Sequence, residues 1–85
     1  LGLFNRVVSP TELESAVQEW AARLATGPTR AFAASKALLN ASIDSDRASA
    51  FSIEAALVEQ IAATDDVAEG IRAFMDKRDP HFEGR

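Results

Sequence analysis

The sequence predicts a small all-α fold of about four helices preceded by a short strand-like segment. Three observations carry that prediction. Apolar residues recur at helical spacing in successive stretches. Capping residues, glycine and proline stand at the breaks between those stretches. Beyond residue 8 no run has the composition or alternation of a strand.

In "LGLFNRVV" the residues are β-branched and aromatic, and Leu3, Asn5 and Val7 would share one side of a strand. A strand with no partner in its own sequence pairs with another chain or another region. Residues 1–9 are therefore read as a strand-like lead-in, 10–79 as the helical domain and 80–85 as a tail. "SPTE" is a helix start: Ser9 caps, Pro10 takes the first helical position, and Glu12 stands where a capping box wants a carboxylate. Helix one follows over 10–26, with Leu13, Val17, Trp20, Ala21 and Leu24 in one stripe, and Gly27-Pro28 ends it.

Helix two is "PTRAFAASKALLNAS", with Phe32, Lys36 and Leu39 on one side. Asn40, Ser42, Asp44 and Ser45 make the next polar break. Helix three, over 46–63, has Ile53, Leu57 and Ile61 on one stripe and Phe51, Ala55 and Val58 on an adjoining one. A face that broad calls for burial on two sides. Thr64, Asp65 and Asp66 are capping types, and Asp66 with Glu69 repeats the capping-box spacing. Helix four then shows Val67, Ile71, Phe74 and Met75, has Lys77 and Arg78 at its exit, and ends at Pro80.

Composition narrows the function classes. The chain has 85 residues, enough for one small domain with thin packing margins. No cysteine is present, which removes disulfides and thiolate metal sites, suits a reducing compartment, and leads us to expect a cytoplasmic protein. Nine Lys and Arg stand against thirteen Asp and Glu, with no basic run, which argues against a nucleic-acid partner. No apolar stretch is long enough to span a membrane.

Catalytic and metal-binding residues are not found. His81 is the one histidine, in the tail and without a second ligand. Glu54 and Glu59 diverge by about 140° around one helix, too far for joint acid–base work at one substrate. Gly70, inside helix four, is either tolerated there or marks close packing. The pair with chemical content is Phe74 and Lys77, three apart on one helix. The residues alone allow two readings: Phe74 in the core with Lys77 solvated, or a ring and an ammonium set to meet a nucleotide base and its phosphate.

The ordered stretches "GLFNRVV", "GPTRAFAASKALLN", Glu54 and "DDVAEGIRAFMDKRDPHFEGR" resemble the C-terminal segment of the crotonase family, the enoyl-CoA hydratases, isomerases and their relatives. The resemblance runs from Gly2 to Arg85. It implies the C-terminal part of a crotonase-like fold whose core of repeated ββα units is absent, with residues 3–8 as the strand leading out of that core. It implies a role in trimer or hexamer assembly, and a last helix that helps to bind coenzyme A, often in a neighbouring subunit's pocket. Phe74 and Lys77 match the family's Phe-x-x-Lys positions, the ring near adenine and the ammonium near phosphate. No permanently bound cofactor is implied; the coenzyme A thioester is the substrate. The oxyanion-hole NH groups and the hydratase carboxylates belong to the absent core, so the segment is expected to be inactive alone. The start at Leu1 rather than methionine fits an excerpt, and swapped or non-native self-association is expected of it in isolation. The alternative is a free-standing helical interaction module with no ligand, whose helices would close their own core.

Overall fold

The structure, a computed structural model, describes residues 2–85. Four α-helices follow in order: α1 Leu13–Ala25, α2 Thr29–Ser42, α3 Arg47–Ala62 and α4 Asp65–Asp76. Among the described residues there is no strand. Residues 3–8 stay irregular, with Leu3, Phe4 and Val7 exposed, because no second strand lies within reach to complete their hydrogen bonds. Leu1, the first residue of the expected lead-in, lies outside the described residues.

Helix α1 begins three residues later than the capping pattern suggests. The Ser9 hydroxyl donates to the Glu12 carboxylate, which also accepts the Ser9 N–H at 3.2 Å. The Glu12 N–H bonds the Ser9 carbonyl at 3.0 Å. Ser9 therefore closes a turn ahead of the helix instead of capping it, and no side chain caps α1. At its far end Gly27 admits the Phe32 ring: a Cβ there would lie 2.5 Å from the ring edge.

The later starts are well made. Asp46 caps α3 through Oδ1, which accepts the Ser49 N–H at 2.9 Å, while Oδ2 takes the Ser49 hydroxyl at 3.0 Å. Thr64 caps α4, accepting the Val67 N–H at 3.4 Å and donating back to the Ile61 carbonyl at 2.7 Å. Of the three capping types at this junction, the buried threonine takes the role. Helix α4 stops at Asp76, before Pro80 is reached. Lys77 adopts left-handed backbone angles (φ 53°, ψ 43°), and the Arg78 N–H closes on the Ala73 carbonyl at 3.0 Å.

Packing runs from α2 to α3 and from α3 to α4, and α1 makes no comparable contact among the described residues. Helix α2 turns Ala31, Ala34 and Leu38 towards α3 and leaves Phe32, Lys36 and Leu39 exposed. On α3 the two stripes part company: Ile53, Leu57 and Ile61 are half-buried, whereas Phe51, Ala55 and Val58 face solvent. On α4 the expected apolar side is also divided, Val67 being half-buried and Ile71, Phe74 and Met75 exposed.

The outcome is an open slab of 44 × 38 × 19 Å with a radius of gyration of 16.1 Å. A compact domain of this length would have a radius near 12 Å, about a quarter smaller. Ala73, 1% exposed, is the one buried apolar residue described. The chain exposes 7169 Å², whereas a compact monomer of 9.1 kDa exposes about 4,900 Å², an excess of about 2,300 Å². A free-standing module with a closed core does not have this surface.

The cap of α3 can be tested directly. Asp46→Ala leaves the Ser49 N–H without its acceptor and is expected to lower the midpoint of urea denaturation, followed by circular dichroism, with the slope unchanged.

Candidate functional site

The junction of α4 with the last residues of the chain is tied by hydrogen bonds between residues far apart in sequence. After Lys77 the chain reverses and runs back along α4 towards its start, held by backbone and side-chain hydrogen bonds. Asp66, 4% exposed, accepts the Glu83 N–H at 2.8 Å on one oxygen and the Gly84 N–H at 2.9 Å on the other. Its own N–H donates to the Arg85 carbonyl at 2.9 Å. Gly84 is fixed twice over: its φ is +75°, and a Cβ would stand 2.6 Å from the Thr29 hydroxyl at the start of α2.

One turn further along, Glu69 meets Arg78 in a two-point ion pair, with Nη1 donating to Oε1 at 2.7 Å and Nη2 to Oε2 at 2.9 Å. Oε1 also accepts the His81 N–H at 2.9 Å. The Arg78 guanidinium, with the His81 N–H behind it, holds the Glu69 carboxyl down at about 2. Between these anchors the Phe82 ring lies over Gly70, 3.6 Å from where a Cβ would be. A Cβ would meet the ring only at an ordinary contact distance, so packing does not require glycine here and the tolerated reading of Gly70 fits.

Asp66 and Glu69 were expected as a capping pair and are instead the two clasps for the tail. The reason is positional. With Thr64 as cap, Glu69 is five residues inside and cannot reach back to the cap's N–H. The sequence did carry a signal for this role: two acidic residues three apart on one face, followed by a tail of arginines and N–H groups needing acceptors.

Phe74 and Lys77 stand clear of the clasp. Phe74 is 85% exposed, so it is no part of a core within this chain, and Lys77 is exposed beside it in sequence order. His81 binds through its backbone and keeps its side chain in solvent, as a tail residue should. Glu54 lines a groove between α2 and α3 among Ala34, Leu38 and Leu57, with no second carboxylate there. No group of three metal-ligating side chains is found among the described residues. No helix described is long and apolar enough to cross a membrane.

The sequence model for the family described as enoyl-CoA hydratase/isomerase matches residues 1–85, the whole chain. The chain belongs to that family. It is 36% identical over all its length to a probable enoyl-CoA hydratase of Rhodobacter capsulatus, covering 33% of that protein. It is 39% identical over 82 residues to a crotonyl-CoA hydratase of Syntrophomonas wolfei, covering 96% of this chain and 32% of the relative. Among solved structures, a putative enoyl-CoA hydratase from Streptomyces coelicolor superposes with a TM-score of 0.92 at 36% identity, over 99% of this chain and 30% of that one. The chain thus spans about a third of the length of the relatives it matches. The likeness to the crotonase C-terminal segment holds, and so does the all-α class: the helices are a family segment without its ββα core.

The tail's anchoring depends on pH in a stated direction. Glu69 has its pKa lowered from 4.5 to about 2, so its contribution is complete above about 4.5 and is lost as pH falls towards 2. Amide hydrogen exchange is expected to find the His81 N–H protected down to about pH 4.5 and progressively released below it, with Glu69→Gln abolishing that dependence.

Proposed function

We propose that this chain is the C-terminal portion of an enzyme acting on 2-enoyl-CoA thioesters, and that it contributes oligomer contacts and part of the coenzyme A site. The exposed Phe74 carries the reading. A large aromatic side chain left open on the best-anchored helix needs something to cover it, and three residues later Lys77 supplies a cation. In the bound state the ring stacks on the adenine and the ammonium meets a phosphate. The chemistry itself, hydration or double-bond shift at the thioester, depends on oxyanion donors and carboxylates outside these helices. The chain alone is inactive. The family membership and the crotonyl-CoA hydratase among its relatives support the substrate class.

The oligomer role draws on apolar side chains that these helices leave uncovered. Among them is the α1 stripe of Leu13, Val17, Trp20 and Leu24, which forms an apolar groove with Phe4.

Two outcomes are expected. In the full-length enzyme, Lys77→Ala or Phe74→Ala raises KM for a 2-enoyl-CoA by about tenfold, with kcat within about twofold, because binding away from the reacting atoms is removed. Unchanged KM in both variants would defeat the site assignment. Separately, sedimentation velocity on the 85-residue chain is expected to reveal concentration-dependent association that Trp20→Glu weakens. A monomer at every concentration would count against the interface role.

A further inference from the structure

We infer that Arg78 and Glu69 are positioning residues for coenzyme A binding: their two-point ion pair holds Lys77 in its left-handed conformation and so sets the direction in which its side chain leaves the backbone. This rests on the reading of Lys77 given above.

Lys77 occupies the position that ends α4, and its φ of 53° makes it the one non-glycine residue described with a positive φ. A side chain at this position crowds the following carbonyl, and glycine is the usual solution. A turn that served only to end a helix would be better made by glycine. The strained lysine keeps a long cationic side chain in solvent at this spot.

The strain is restrained from both sides. Before Lys77 stands the regular helix, whose Ala73 carbonyl accepts the N–H groups of both Lys77 and Arg78. After it, Arg78 is forked onto Glu69, nine residues back on the same helix, and also donates to the Asp79 carbonyl at 3.2 Å. Glu69 then accepts the His81 N–H, so the chain is fixed again three residues beyond Arg78. Once the peptides on either side are pinned, φ and ψ of Lys77 are set, and with them the direction of its Cα–Cβ bond. Arginine suits this task better than lysine because its planar fork fixes angle as well as distance.

The test is a mutant cycle in the full-length enzyme, reading KM and kcat for a 2-enoyl-CoA. Arg78→Ala is expected to raise KM by about tenfold and Arg78→Lys by about threefold, with kcat within about twofold in each. Neither change should add to Lys77→Ala, because a side chain that is gone cannot be mis-aimed. Effects of Arg78 and Lys77 that multiply, or a loss confined to kcat, would overturn the positioning role while leaving the site assignment intact. A Lys77→Ala enzyme with unchanged KM removes Lys77 from the site instead, and the positioning role with it. Where Arg78→Ala does not fold, the comparison of Arg78→Lys with and without Lys77→Ala decides in the same way.

Discussion

The constraint behind the whole arrangement is that these helices have more apolar face than they have neighbours. Three of the four form a chain of contacts, α2 on α3 on α4, and a chain of contacts has two open sides. Helix α3 makes the point within one element. Its Ile53, Leu57 and Ile61 are half-covered, while Phe51 and Val58, on the next stripe round, remain in solvent. At about 25 cal/mol for each Å² of apolar surface, leaving even a few such side chains uncovered forfeits several kcal/mol. That is a large share of the stability of any small domain. A surface of this kind fits a segment whose remaining cover comes from elsewhere.

Against that background the tail of the chain behaves differently. Apart from the Phe82 ring over Gly70 it has little apolar surface to bury, and it is held mainly by hydrogen bonds to two carboxylates. A buried carboxylate is costly unless its oxygens are satisfied, and Asp66 is satisfied by two backbone N–H groups of a segment with no secondary structure of its own. The exchange is reciprocal. The tail finds acceptors for donors that no helix or sheet would otherwise pair, and the carboxylate finds donors where water is excluded.

Much of this was legible in the residues. The order, number and approximate extents of the helices followed from apolar periodicity and from Gly27-Pro28, the polar break of Asn40, Ser42, Asp44 and Ser45, and Thr64. The width of the α3 face announced that one neighbour would not suffice. What could not be read was how each local signal would be used once alternatives competed. Ser9 and Glu12 have the capping spacing, but their side chains bond each other and leave α1 to start without a side-chain cap. Asp66 and Glu69 have it too, and serve partners 9 to 18 residues away that no local pattern could name. Pro80 marked the end of α4 only approximately, because a left-handed lysine three residues earlier is invisible to propensity. Phe74 was ambiguous for a deeper reason. Periodicity places a side chain on a face, and only the packed structure tells whether that face has a neighbour.

Helix α4 is where these strands of the account meet. It is divided lengthwise, with the tail clasped along one side through Asp66, Glu69 and Gly70 and with Ile71, Phe74 and Met75 open on another. Every bond of the clasp is made within the last 20 residues of the chain, so it does not depend on the cover that the other helices lack. A binding face is most useful on an element whose shape is fixed before the ligand arrives. The clasp fixes the shape of the helix that carries Phe74 and Lys77 by local means. The apolar stripes, by contrast, can be completed only by a larger body. The segment therefore keeps the form of this helix face by itself, while its apolar stripes await cover from outside these helices.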